Sequence, residues 1–177
     1  MALLEGLDVS VLDAVARQVR LTPGARTLIR TLKRAGMRTA IVSGGFTRIT
    51  DFLAGELGVD HAVANTLEVV DGRLTGRLEG EIVDRAGKAR LVRKIAATEG
   101  IPLEQVVAIG DGANDLDMLA TAGLGVAFNA RSKVREAADA ALNVPFLDAI
   151  LFMLGIPRHE IAADDDESVP VPGLPPV

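Results

Sequence analysis

The sequence predicts an α/β fold with a mainly parallel sheet that is covered by helices on both faces. Short apolar segments rich in Val, Ile and Ala alternate with helical segments along most of the chain, which is typical of strand–helix–strand units. Turns rich in glycine and polar residues follow two of the predicted strands. Because ligands of open α/β sheets bind where strands end, we expect a ligand site at the carboxyl edge of this sheet.

Apolar periodicity and turn residues place the individual elements. Thr22 is a candidate N-cap before Pro23, Gly36 and Gly58 end two helices, and Asp71-Gly72 predicts a two-residue hairpin. The predicted elements, in chain order, are helices at 9–19 and 23–35, a strand at 38–42, a helix at 47–57, strands at 61–64, 67–70 and 73–78, a helix at 87–98, a strand at 106–109, a helix at 116–122, a strand at 124–128, a helix at 132–138, a strand at 140–144 and a helix at 146–154.

Composition limits the function classes. The 177 residues carry a net charge of −5 and no Cys, which argues against a nucleic-acid partner, a disulfide framework and thiolate chemistry. No apolar run reaches about 18 residues and no leader pattern is evident, so we expect a cytoplasmic protein without a membrane span. From residue 157 to 177 the chain becomes acidic and rich in proline, and this tail is expected to be disordered.

The turn after strand 106–109 is the strongest candidate site. Asp111, Asn114 and Asp115 are crowded there with two glycines, and neighbouring carboxylates repel one another unless a cation lies among them. An all-oxygen donor set suits Mg²⁺. The alternative is an ordinary strand-to-helix connection in which Asn114 or Asp115 caps the helix.

Two further segments predict phosphate chemistry. Ser43, Gly44 and Gly45 stand between a strand and a helix, where glycines allow close approach and helical N–H groups favour an anion; the alternative is a plain turn. Lys88 stands at a helix start, where a cation is disfavoured, and could neutralise a phosphoryl oxygen, although a solvated surface lysine is the alternative. The two histidines, His61 and His159, are not predicted to be ligands.

Together these segments resemble the phosphoserine phosphatase family of the haloacid dehalogenase superfamily. The resemblance covers roughly residues 7–156 and rests on residues 40–46 (AIVSGGF), 64–65 (AN), 67–72 (LEVVDG), 74–76 (LTG), 84–88 (DRAGK), 109–115 (IGDGAND) and 123–128 (GLGVAF). It implies a Rossmann-like core at 23–156, with residues 1–22 the remnant of a helical cap.

The resemblance also implies roles for individual residues. Ser43 and Gly44 would hold the substrate phosphate, and Lys88 would neutralise the phosphoryl group and the nucleophile. Asp111 would bind Mg²⁺ directly, while Asn114 would touch the substrate. Asp115 would support the metal site and Lys88 as part of the catalytic set. The implied reaction is Mg²⁺-dependent hydrolysis of O-phospho-L-serine to serine and phosphate, a step of serine biosynthesis.

One motif of the family is absent. Members begin with an apolar strand that ends in Asp-x-Asp-x-Thr/Ser, whose first Asp attacks phosphorus. The two Asp-x-Asp pairs here, Asp115-Leu116-Asp117 and Asp164-Asp165-Asp166, follow no such strand. We therefore expect a core truncated by its first strand and most of its cap, with a vacancy or an abnormal pairing between strands 38–42 and 106–109. We also expect no activity of the chain alone. The alternatives are a non-catalytic phosphate-binding module and a phosphatase for another small phosphomonoester; the oligomeric state is not predicted.

Overall fold

The computed structural model describes residues 2–162, which form six strands and seven α-helices. The strands are β1 (Ala40–Phe46), β2 (His61–Val70), β3 (Arg73–Glu79), β4 (Val107–Gly110), β5 (Leu124–Phe128) and β6 (Ala140–Leu142). The α-helices are α1 (Ser10–Ala16), α2 (Ala25–Arg34), α3 (Thr47–Leu57), α4 (Arg85–Glu99), α5 (Leu116–Leu119), α6 (Ser132–Ala137) and α7 (Ala149–Met153). Short 3-10 helices lie at Ala2–Leu4, Leu103–Gln105, Ala113–Asp115 and Arg158–Glu160.

The strands form two three-stranded sheets. In the first, of order β1-β2-β3, β1 and β2 are parallel and β3 is antiparallel to β2. The second, of order β4-β5-β6, is parallel throughout. Within residues 2–162, β1 and β4 are therefore edge strands and no ladder joins them. This confirms the α/β fold with helix-covered parallel strands. Of the vacancy or abnormal pairing expected between these two strands, residues 2–162 show the vacancy.

Packed helices cover both faces of the β4–β6 sheet. Successive residues of a strand point to opposite faces, and Ala108 belongs to a cluster with Val92 of α4 and Met118 of α5. Its neighbour Ile109 packs against a second cluster, on the other face of the sheet, which contains Leu28 of α2 and the buried residues of α7. Helix α4 also contacts β1, and Val42 packs against the α4–α5 cluster. Helix α4 thus packs against both sheets, which no strand of the described residues joins.

The first sheet carries the N-terminal residues. Helix α1 contributes Leu12 to a cluster with Leu67 and Leu74 of the β2–β3 hairpin, and the Gly6 amide donates to the Leu74 carbonyl at 2.8 Å. The predicted hairpin turn is confirmed, since Asp71 and Gly72 both have positive φ angles (49° and 76°). Among the described residues, no helix is both long and apolar enough to cross a bilayer.

Several predicted boundaries were wrong. The chain from 61 to 70 is one strand, because β2 changes partner from β1 to β3 without a turn. Helix α2 begins at Ala25 after Gly24 rather than at Pro23, since Gly24 adopts a left-handed conformation (φ 79°) and Thr22 does not cap the helix.

The tail predicted to begin at residue 157 is ordered for its first residues. Arg158–Glu160 form a 3-10 helix, and the buried Ala162 donates its amide to Thr31 Oγ1 of α2 at 2.9 Å. This bond to α2 holds the first residues of the predicted tail in place. Its two partners are 131 positions apart in the sequence, so composition does not reveal the contact. The acidic and proline-rich remainder of the predicted tail lies outside the described residues.

Candidate active site

The Gly-Asp-Gly turn is held by the carboxylate of Asp115. Asp115 Oδ2 accepts hydrogen bonds from the backbone amides of Asp111 (3.2 Å) and Gly112 (3.0 Å), so the turn closes on a side chain four residues further along. A Cβ at Gly110 would lie 2.5 Å from Asp115 Cβ, closer than real Cβ contacts allow, so this position requires glycine. Asp115 therefore shapes the turn and makes no side-chain capping bond to α5.

Lys88 binds the other oxygen of the same carboxylate. Its Nζ lies 2.6 Å from Asp115 Oδ1, and the two side chains are only 9% and 6% exposed. A buried ion pair is retained only with good geometry, and removing one partner leaves an uncompensated charge. Lys88 is therefore not a solvated surface lysine, and the pair joins α4 directly to the turn after β4.

The first turn of α4 places Lys88 at this position. Asp84 Oδ1 caps the helix by accepting from the Gly87 amide at 2.7 Å. A Cβ at Gly87 would lie 2.6 Å from the Ile82 carbonyl, so the chain approaches itself closely before the helix. The cation is unfavourable at a helix N-terminus, and the Asp115 carboxylate offsets that cost.

Asp111 and Asn114 form the open side of the turn. Both residues are exposed, whereas Asp115 is buried. Among the described residues, no three His, Cys, Asp or Glu side chains stand close enough together to hold a metal ion. Asp111 is thus a single exposed carboxylate next to a buried ion pair, a donor that fits Mg²⁺ when phosphate and water complete the shell.

The Ser43–Gly45 segment differs from the predicted turn because it belongs to β1. Between the pairs Val42↔Val63 and Phe46↔Asn65, three residues of β1 face one residue of β2, so the strand bulges at this segment. Ser43 Oγ accepts from the Gly45 amide at 3.0 Å, which leaves its own proton available to a ligand. Gly44 and Gly45 are exposed at this bulge.

The structure thus brings Lys88, Asp115 and the Asp111 backbone together directly. Ser43 and Gly44 are connected to them by another route, because Asn65 bonds both the Gly44 carbonyl and the segment before α4. Sequence reasoning gave Asn65 no role, and a buried amide (4% exposed) cannot be distinguished from a surface one by its residue type.

A cavity of about 260 Å³ lies beyond the bulge, between α1, α3 and β2. Leu12, Phe46 and Leu67 form its apolar walls, and Arg48 and Asp51 are among its polar lining residues. Arg48 is paired with Asp13 of α1, and the hydrogen bond from Arg48 lowers the pKa of that carboxyl. The cavity does not include Lys88 or the Gly-Asp-Gly turn.

Comparisons with known proteins identify the family. The model of the haloacid dehalogenase-like hydrolases matches residues 1–120. A phosphoserine phosphatase of Streptomyces coelicolor is 66% identical over 178 residues (99% of this chain, 43% of that protein), and phosphoserine phosphatase SerB2 of Mycobacterium tuberculosis is 58% identical over 165 residues (93% and 40%).

A solved structure, a substrate-bound phosphoserine phosphatase complex, superposes with a TM-score of 0.81 at 41% identity, covering 86% of this chain and 72% of the other. The chain spans less than half the length of the two curated relatives. By the family model and by the extent of these matches, the chain belongs to the haloacid dehalogenase-like hydrolases, among the phosphoserine phosphatases.

Proposed function

We propose that this chain supplies the phosphate-binding, metal-binding and charge-neutralising residues of a Mg²⁺-dependent phosphomonoester hydrolase that acts on O-phospho-L-serine. The observation that carries the proposal is the buried pair of Lys88 and Asp115, whose carboxylate also holds the turn of Asp111. A lysine kept dry beside a turn that carries an exposed carboxylate suits a transferring phosphoryl group, whose charge must be neutralised in the transition state. The similarity to phosphoserine phosphatases supports the substrate.

Each residue has a separate task in this proposal. The Ser43 hydroxyl and the Gly44 backbone bind phosphate oxygens at the β1 bulge, and Lys88 offsets the charge on the phosphoryl group. Asp115 orients Lys88 and the turn, Asn114 contacts the substrate, and Asp111 is the direct ligand of Mg²⁺. The metal, when bound, polarises a phosphoryl oxygen as a Lewis acid.

Neither carboxylate of the Asp-x-Asp pair within residues 2–162 is free to attack phosphorus. Asp115 uses both oxygens within the fold, and Asp117 accepts from Arg85 Nε at 2.8 Å, a bond that lowers the pKa of Asp117. The second Asp-x-Asp pair, at 164–166, lies outside the described residues. We therefore propose that the chain alone binds phosphate but does not cleave the ester, as a phosphate-binding module would, and that turnover requires a carboxylate from another segment.

Within residues 2–162, one edge of β1 and one edge of β4 have no strand partner, and these edges indicate where such a segment would bind. Helix α4 contacts β1 and packs on β4 and β5, so the two edges are held by one helix. An extended segment placed between them would pair its N–H and C=O groups with β1 on one side and β4 on the other. Exposed strand edges favour such pairing because their own N–H and C=O groups lack partners. If the segment runs parallel to β1 and β4, as β2 and β5 do, its carboxyl end lies beside the turn of Asp111.

Binding of inorganic phosphate, measured by calorimetry with and without MgCl₂, tests this assignment. We expect Mg²⁺ to tighten phosphate binding by the wild-type chain, and Asp111→Asn to remove that enhancement because the amide is a poor Mg²⁺ ligand. Asp71→Asn is the matched control, since Asp71 is also an exposed turn residue and Asn tolerates its positive φ (49°). A wild-type chain that binds no phosphate, or an unchanged enhancement in Asp111→Asn, would contradict the proposal.

A further inference from the structure

The side chain of Asn65 connects the two halves of the candidate phosphate site. Its Nδ2 donates to the Gly44 carbonyl at 2.9 Å, and its Oδ1 accepts from the Val83 amide at 2.8 Å. A longer contact of 3.5 Å joins Nδ2 to the Val83 carbonyl. Asn65 is 4% exposed, so these backbone groups replace water as its partners.

Asn65 lies where β2 changes partner. It is the last residue of β2 in register with β1, and Thr66 is the first in register with β3. The bulge at Ser43–Gly45 interrupts the backbone ladder beside it. The amide of Asn65 therefore supplies a side-chain partner for the Gly44 carbonyl in the stretch where the ladder is irregular.

The other end of the connection leads to Lys88. Val83 is 4% exposed and directly precedes Asp84, which caps α4. The Asp84 carbonyl accepts from the Lys88 amide at 2.9 Å. A Cβ at Gly44 would lie 3.4 Å from the Val83 carbonyl, so β1 and the segment before α4 lie close together. Rotation of the Asn65 amide would break bonds at both ends.

Building on the proposed function, we propose that Asn65 is a positioning residue that sets the Ser43–Gly45 bulge at a fixed distance from the start of α4. Asn65 itself does not touch phosphate. Its hydrogen bonds keep Ser43 and Gly44 directed at the same anion that Lys88 neutralises. Without the amide, the bulge loses one of its fixed contacts with the segment before α4, and the distance between the two halves of the site is no longer fixed.

The test is phosphate binding by the full chain, measured by calorimetry and by the amide signals of Ser43, Gly44 and Gly45 in ¹⁵N-labelled protein. We expect Asn65→Ala to weaken phosphate binding by about tenfold, since small misplacements of binding groups are costly. The control is Thr31→Val. Thr31 is also buried, and its hydroxyl makes two backbone bonds, to the Thr27 carbonyl and from the Ala162 amide; Thr31 itself lies on α2, and neither bond involves the candidate phosphate site. It should lose stability and keep its phosphate affinity.

A double-mutant cycle separates positioning from general destabilisation. Ser43→Ala should weaken phosphate binding of the wild-type chain, and should weaken it much less when Asn65 is already Ala. Additive effects, or normal affinity of Asn65→Ala, would overturn the inference alone. A wild-type chain that binds no phosphate would overturn the proposed function and this inference with it.

Asn65→Asp keeps the inference testable if the alanine variant does not fold. A neutral carboxylic acid can donate to the Gly44 carbonyl and accept from the Val83 amide, whereas a carboxylate can only accept. Phosphate affinity relative to wild type should therefore recover as the pH is lowered from neutral to mildly acidic. A ratio that does not change with pH would contradict the positioning role.

Discussion

Lys88→Met is expected to cost far more stability than an ordinary lysine substitution. The ammonium group lies 2.6 Å from Asp115, and both side chains are more than nine-tenths buried, so its removal leaves a buried carboxylate without a cation. Breaking a buried pair on one side costs about 3–5 kcal/mol. Because domains of this size are stable by about 5–15 kcal/mol, this loss is a large fraction of the total.

Urea denaturation followed by circular dichroism measures this cost. The control is Lys94→Met, which makes the same substitution at an exposed position of the same helix. Its free energy of unfolding should change by less than about 0.5 kcal/mol. The variant Lys88→Met/Asp115→Asn should recover part of the loss, since the unpaired charge is gone and the amide oxygen still accepts from the turn. If Lys88→Met unfolds at the same urea concentration as Lys94→Met, the buried pair does not organise the site as described.

Two further predictions concern the turn and an ion pair at the opposite end of α4. Gly110→Ala should lower the free energy of unfolding, because its Cβ would overlap Asp115. Gly55→Ala, in open space within α3, should instead raise the free energy of unfolding by about 0.5–1 kcal/mol. Thermal denaturation of both variants tests this, and equal shifts in Tm would contradict the close contact of Gly110 with Asp115. The hydrogen bond from His61 (2.6 Å) lowers the pKa of Glu99. The ionised Glu99 therefore stabilises the fold at pH values above the ordinary pKa of Glu, and this stabilisation is lost as the pH falls through the lowered pKa of Glu99. Glu99→Gln should therefore flatten the acid limb of the stability curve, and an unchanged limb would show that the pair contributes nothing.

Local sequence signals predicted the order of elements well. The alternation of strands and helices, the Asp71-Gly72 hairpin and the strand Leu124–Phe128 were all identified, because each depends on near neighbours in the chain. The single long strand β2 was not identified. Its continuity depends on pairing with β1 and β3, and no local pattern reports a change of partner.

Residue types and the family resemblance pointed to the candidate site, but only part of its hydrogen-bond network was foreseen. Crowded carboxylates pointed to the turn of Asp111, and an unusual lysine at a helix start pointed to Lys88. Hydrogen bonds of Asp115 join the two, while the support of a metal site that the family resemblance assigns to Asp115 stays a prediction. The bulge at Ser43–Gly45 and the amide of Asn65 were not foreseen as a unit, because both depend on the register between β1 and β2.

The most direct measurement is the release of phosphate from O-phospho-L-serine in the presence of Mg²⁺, with the chain alone and with a separately made fragment that carries the family's first strand and cap. We predict that the chain alone gives no turnover above a control preparation, since loss of the nucleophile costs on the order of 10⁴–10⁶ in rate. Adding the fragment should restore turnover, and a fragment in which the first Asp of its Asp-x-Asp motif is Asn should not. Robust turnover by the chain alone, abolished by Asp111→Asn, would contradict the account.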